Sequence, residues 1–77
     1  MNQKIKTDLR YEFEEIIIPA LALRQDQETH LLNYLRELDA KDFELPMDRC
    51  IDSTYEAIRL YSNRIQACKK YVSELKD

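Results

Sequence analysis

The sequence predicts an all-α protein folded as an antiparallel hairpin of two long helices. It contains no glycine and only two prolines in 77 residues, so the tight turns and left-handed helix caps that use glycine are expected to be few. Strong helix formers such as Glu, Lys, Arg, Leu and Ala are abundant. A chain of this length has room for one domain, so we expect a single helical domain over residues 1–77.

A heptad pattern makes the second helix the clearest element. From Met47 to Leu75, seam residues recur at alternating spacings of four and three, which is typical of a helix packed lengthwise against another. Cys50, Ala57 and Tyr71 flank this seam and widen it, as a helix bundle requires. We predict a helix over about residues 46–76 that begins near Pro46. Its predicted core seam consists of Ile51, Ile58, Tyr61, Ile65, Cys68, Val72 and Leu75.

The first helix has a less regular pattern. The polar segment 24–29 interrupts its apolar stripe, and Pro19 would cost a continuous helix about 3 kcal/mol by deleting one hydrogen bond and crowding the Glu15 carbonyl. The helix is therefore either continuous with a kink at Pro19 or broken there, and the second case gives a three-helix bundle. The predicted stripe runs through Leu9, Phe13, Ile16, Ala20 and Leu23, and continues with Leu31, Leu35 and Leu38.

Residues 39–46 are predicted to be a short connection ending in a proline. If the chain reverses there, residues equidistant from about Phe43 face one another. The polar segment 24–28 then lies beside residues 58–62, where Tyr61 can offer its hydroxyl.

Apolar side chains surround the segment 16–23, and a helix that is apolar on all sides must be covered on all sides. A hairpin covers only one side. We therefore expect dimerisation into a four-helix bundle, or a different protein partner, with Ile17, Ile18 and Leu21 at the contact. Tyr11, Tyr34 and Tyr55 are further candidates for partner contact, because tyrosine is enriched at protein interfaces.

Charge and hydropathy restrict the partner and the compartment. The net charge is −3, which gives no general excess of positive charge for a phosphate backbone. The longest apolar run, residues 16–23, has eight residues, whereas a membrane span needs about 20. Since the N-terminus also lacks the apolar core of a signal peptide, we expect a cytoplasmic protein, or a nuclear one if the source is eukaryotic, with both cysteines as thiols.

No group of residues predicts catalysis, a cofactor or a metal site. His30 is the only histidine, and Asp26 four residues before it supplies only a second ligand. A single histidine without a glycine-rich loop supports neither a catalytic triad nor a phosphate-binding loop. We expect a protein without enzymatic activity.

One family resemblance concerns the parts of both predicted helices that adjoin the connection. The segment "LLNYLRELDAK", a short turn and a helix carrying Cys50, Leu60 and Tyr61 resemble the helical hairpin of the plasmid RNA-binding Rop proteins, over about half of the chain. The resemblance implies a dimeric four-helix bundle that binds paired RNA loops through one face. This chain has a longer connection, a proline inside the first helix and acidic residues at 12, 14 and 15.

Two functions follow as expectations. The first is a small regulatory or adaptor protein that binds another protein through helix faces, for example as an inhibitor. The alternative is a dimeric hairpin that binds structured RNA through basic residues near one end, namely Lys4, Lys6, Arg10, Lys69 and Lys70.

Overall fold

The computed structural model describes residues 2–40 and 47–75, and these form the predicted all-α helical hairpin. The first arm consists of α1 (Gln3–Glu12), a π-helical turn (Phe13–Ile17) and α2 (Ile18–Ala40). The second arm is α3 (Met47–Leu75), and residues 46 and 76, at which the predicted helix begins and ends, lie outside the described residues. Residues 41–46, which include most of the predicted connection and Pro46, lie outside the described residues.

A side-chain cap fixes the start of the first arm. Asn2 has extended backbone angles, and its side-chain oxygen accepts hydrogen bonds from the backbone N–H groups of Lys4 at 2.8 Å and Ile5 at 3.2 Å. Asparagine is among the preferred N-cap residues because it satisfies N–H groups that have no partner within the helix. The helix therefore begins where the sequence supplies this cap.

The first arm continues through Pro19 without a break. Phe13 and Ile18 both have right-handed helical backbone angles, and the Ile18 N–H donates to the Phe13 carbonyl five residues back. A straight α-helix of this arm's length would measure about 57 Å, and the longest extent of the molecule is 58 Å. Of the two predicted alternatives, the continuous helix is therefore present, the three-helix bundle is not, and the proline bends the arm only slightly.

The π-turn changes which side of the first arm is buried. The half-buried residues Phe13, Ile17 and Leu21 follow one another at two consecutive spacings of four, where a regular heptad would have a four and a three. This extra residue is absorbed by the wider π-turn. The predicted stripe is therefore wrong at Ile16, Ala20, Leu23 and Leu31, which are exposed, whereas Leu35 is buried and Leu38 half-buried as predicted.

The core is a single thin layer between the arms. Its buried apolar side chains are Leu32 and Leu35 from the first arm and Ile65, Val72 and Leu75 from the second. Thr54 is buried with them, and its hydroxyl donates to the Cys50 carbonyl at 2.7 Å. The remaining members of the predicted core seam, Ile51, Ile58, Tyr61 and Cys68, are half-buried. No described side chain is completely buried, as expected when each helix has only one neighbour.

Three contacts between the arms confirm the predicted register. The Gln25 side-chain amide donates to the Ile58 carbonyl at 3.3 Å, and Arg24 is hydrogen-bonded to the Tyr61 hydroxyl. Nearer the open end, where α1 lies, the rings of Phe13 and Tyr71 have centroids 5.1 Å apart. The polar segment thus lies beside residues 58–62, as the sequence predicts.

Candidate functional site

The candidate site is one of the two broad faces of the hairpin, which we call the apolar face. At 100° per residue, the exposed side chains of each arm divide between the two sides of the plane that contains both helices. We define the apolar face by Ile16, Ala20 and Leu31 of the first arm and Cys50, Ala57, Leu60 and Ala67 of the second. The opposite face, the polar face, carries Thr29, Asn33, Arg36, Asp52, Tyr55 and Ser62.

Two adjoining shallow grooves show that the apolar face is continuous across the arms. Leu31 and Leu35 line the first groove together with Cys50 and Ser53 of α3. Ser53 also lines the second groove, beside Ala57 and Leu60, and the polar side chains of Glu56, Arg59 and Asn63 form its outer edge. The surface therefore extends from the first arm to the outer side of α3.

Large apolar side chains on this face remain in contact with solvent. The exposed fractions are 54% for Ile16, 43% for Leu31 and 47% for Leu60. Leu23, at the outer edge of the face, is 60% exposed, and Ile5 near the open end is 49% exposed. Single exposed apolar residues are common on proteins, but a connected set marks an interaction surface.

Each arm carries a second heptad seam on the apolar face. In α3 the positions are 50, 53, 57, 60, 64, 67 and 71, spaced alternately by three and four. In the first arm the regular positions are 20, 24, 27, 31 and 34, of which Arg24 is charged, and the apolar Ile16 and Leu23 lie beside them. A helix with one seam needs one neighbour, whereas a helix with two adjacent seams is typical of a four-helix bundle, where each helix touches two neighbours. The second seams are uncovered in the single chain.

The polar face has a different composition and its own contacts. A shallow groove there is lined by Gln25, Asp52, Tyr55, Arg59 and Ser62, among others. The Arg36 guanidinium lies over the Tyr55 ring, 5.1 Å from its centroid. Because its side chains are mostly polar, this face can remain in contact with water.

A polar layer crosses the middle of the hairpin. The hydrogen bond to the Tyr61 hydroxyl raises the pKa of Arg24 above its usual value, with a smaller electrostatic contribution from Glu28. The guanidinium therefore stays charged in the neutral range. Together with the Gln25 side chain, this layer fixes the register of the arms, because a polar group within an apolar seam disfavours a shifted alignment.

The predicted contact residues fall in different places. Ile17, Ile18 and Leu21 are half-buried, with Ile18 lining a groove beside Val72 of α3. Their own hairpin thus shields them in part, and their neighbours Ile16 and Leu23 carry the uncovered apolar surface. The three candidate tyrosines are exposed, at 62% for Tyr11, 58% for Tyr34 and 43% for Tyr55. Their contact with a partner stays a prediction.

Sequence reasoning missed Leu31 and Leu60 as exposed contact residues. For Leu60 a signal was present, because it continues the heptad of Cys50 and Ala57 that flanks the core seam. For Leu31 the signal was misleading, since its spacing of four from Leu35 and seven from Leu38 assigns it to the same stripe. Only the one-residue shift at the π-turn places Leu31 outside and Leu32 inside.

Other kinds of site are not seen in the described part of the chain. Over residues 2–40 and 47–75, no three side chains of His, Cys, Asp or Glu lie close enough together to hold a metal ion. None of the helices described there combines the length and apolar character needed to cross a membrane. No family model, curated protein or solved structure matches this chain.

Proposed function

We propose that this is a small non-enzymatic regulatory or adaptor protein that binds a helical surface through its apolar face. That surface belongs to another protein, which the chain would regulate, for example as an inhibitor, or to a second copy completing a four-helix bundle. The observation that carries the proposal is the connected, solvent-exposed surface between Leu31 and Leu60, with Ile16 exposed farther along the same face.

The exposed area supports the same proposal. A compact monomer of 9.3 kDa is expected to expose about 5,000 Å², and this chain exposes 6072 Å². The difference, about 1,100 Å², exceeds the roughly 800 Å² that each partner buries in a standard protein interface. Covering one broad face would therefore bring the chain to the exposure of an ordinary globular protein.

The charges near the open end support RNA binding less well than the apolar face supports protein binding. The basic residues Lys4, Lys6 and Arg10 share their helix with acidic residues at 8 and 12, and the π-turn adds acidic residues at 14 and 15. Neutralising several phosphates requires a basic stripe without such interruption. We therefore do not propose the RNA-binding alternative.

Site-specific photocross-linking in the source cells tests the proposal. A benzophenone amino acid replaces Leu60 on the apolar face or, as the matched control, Ser62 on the polar face two residues along the same helix. We expect cross-linked products from position 60 and none from position 62, since only the first position lies in the contact. Equal yields from both positions, or none from position 60, would contradict the proposal.

A second measurement addresses regulation. The activity of the cross-linked protein, once identified by mass spectrometry, is measured with wild-type chain and with the Leu60→Glu variant. We expect the wild type to change that activity and the variant to have little effect. If all products from position 60 are dimers of this chain, the regulatory part of the proposal is contradicted, although the face is still an interface.

A further inference from the structure

We propose that a second copy of this chain covers the apolar face in a head-to-tail orientation, with a two-fold axis crossing each arm at the level of the Gln25–Ile58 hydrogen bond. The inference rests on the proposed function, because it takes the apolar face as the contact surface. A different protein that binds this face must then compete with the second copy.

The charge distribution favours the head-to-tail orientation. Residues 37–56, which join the two arms, include seven acidic and two basic residues and have a net charge of −5, so the rest of the chain is +2. Packing two hairpins side by side with their closed ends together would place two −5 segments next to each other. Packing them head to tail places the connected ends of the two hairpins, at residues 40 and 47, at opposite ends of the pair, although Asp52 and Glu56 stay near its middle.

The head-to-tail orientation also determines which arms meet. A two-fold axis that runs across the hairpin, within the interface, keeps each arm on its own side, so α3 packs against α3 and the first arm against the first arm. In a pair of identical antiparallel helices, a residue of one copy lies level with a residue of the other when their two numbers add up to a fixed sum. The value of this sum, called the constant below, defines the alignment. The second seams can therefore be aligned in each arm separately.

In α3, one alignment pairs apolar residues with apolar residues. A constant of 117 places Leu60 against the second copy's Ala57 and Cys50 against its Ala67, each contact occurring twice by symmetry. It also places the two polar members of the seam, Ser53 and Arg64, against each other. A shift of one heptad in one direction would place Leu60 against Arg64 and Cys50 against Glu74. A shift of one heptad in the other direction keeps Leu60 against an apolar residue, Cys50, but places Ala57 against Ser53. With the first alignment, the two-fold axis crosses α3 between Ile58 and Arg59.

The first arm gives its own alignment. A constant of about 50 places Ile16 against the second copy's Tyr34, Ala20 against its Leu31, and Leu23 against its Gln27. Of these pairs, Ala20 with Leu31 joins a small side chain to a large one, as facing layers in a packed core do. With this alignment, the two-fold axis crosses the first arm at Gln25.

The two alignments place the two-fold axis at the same level of the hairpin. The Gln25 side chain donates to the Ile58 carbonyl at 3.3 Å, so the crossing points found in the two arms lie at the same level. Nothing in the sequence of either arm alone requires this agreement. By contrast, a side-by-side pair would place Arg64 against Ala20 and Ser53 against Leu31, which leaves polar side chains against apolar ones.

The two natural cysteines provide the test. In the proposed pair, Cys50 of one copy lies within one residue of the level of the second copy's Cys68, and both point toward the four-helix core. The like pairs, Cys50 with Cys50 and Cys68 with Cys68, are separated by about 25 Å or more along the bundle. A bismaleimide linker with a reach of about one helix diameter, roughly 10 Å, therefore joins only the unlike pair.

The experiment uses Cys50→Ser and Cys68→Ser chains, separately and mixed, with the wild type as reference. We expect cross-linked dimer from the wild type and none from either variant alone. The equimolar mixture after exchange should give roughly a quarter to a half of the wild-type yield, since half of its pairs are mixed and each mixed pair has one linkable pair of cysteines where the wild type has two. Circular dichroism checks that both variants remain helical. Cross-linking that survives in a single variant and does not rise on mixing would overturn the orientation.

A second outcome separates this inference from the proposed function. If sedimentation shows a 9.3 kDa monomer at all accessible concentrations and no mixture cross-links, the second copy is not the occupant and the inference fails. The proposed function fails only if photocross-linking from position 60 also captures no other protein. The two proposals therefore have different failing results.

Discussion

The two broad faces of the hairpin differ, although both are built from the same two helices. On the apolar face, Leu31, Ala57 and Leu60 continue a second heptad beside the core seam, whereas the polar face presents Asn33, Asp52 and Ser62 at the equivalent places. Helix propensity does not produce this difference, since all these residues lie in regular helix. The difference instead indicates that one face is prepared for a neighbouring helix pair and the other for water.

The largest expected effect comes from placing charge on the apolar face. In the proposed pair, Leu60→Glu puts two carboxylates near the two-fold axis against Ala57, and it removes the burial of two leucines at about 1.5–3 kcal/mol each. We expect the dissociation constant of the pair to rise at least about 100-fold, as measured by sedimentation equilibrium. The single chain should remain helical, because Leu60 is 47% exposed in it.

Ser62→Glu is the matched control for that variant. It adds the same charge two residues along the same helix, on the polar face. We expect its dissociation constant to stay within about threefold of the wild type, which corresponds to less than 1 kcal/mol. Equal weakening by both variants would mean that net charge, and not the difference between the faces, controls association.

The second arm could be predicted from the sequence far better than the first. In α3 the heptad is unbroken, so the helix over the described residues and its register against the first arm followed from spacing alone. The first arm has one extra residue in its pattern and a proline next to it, and two structures were compatible with that sequence. A single residue shift moves Ile16 and Leu31 from the expected core to the surface, so the apolar face could not be assembled from the sequence.

An intermediate effect is expected from Pro19→Ala, which tests what causes that shift. Proline in a regular helix interior costs about 3 kcal/mol relative to alanine, but the π-turn already widens the backbone just before residue 19. We therefore expect the free energy of unfolding to rise by only about 1 kcal/mol, measured by urea denaturation. A gain near 3 kcal/mol would mean that the π-turn does not relieve the proline.

The same variant shows whether the division between the faces depends on the proline. If the extra residue in the seam causes the π-turn, Ile16 stays exposed in Pro19→Ala. A cysteine at position 16, in a chain with both natural cysteines changed to serine, should then react with maleimide equally fast with and without the proline under monomeric conditions. Slower labelling without the proline would show that the proline directs Ile16 to the surface.

The smallest expected effect belongs to the polar face. The Arg36 guanidinium lies 5.1 Å from the centroid of the Tyr55 ring, and both residues are exposed. A cation–π contact in water contributes about 0.5–1 kcal/mol, so Tyr55→Leu, which keeps apolar bulk and removes the aromatic ring, should lower the free energy of unfolding by about that amount. A double-mutant cycle with Arg36→Gln isolates the contact. We expect association to be unchanged in both variants. A loss of association in Tyr55→Leu would instead place the polar face in the interface and remove the distinction between the faces.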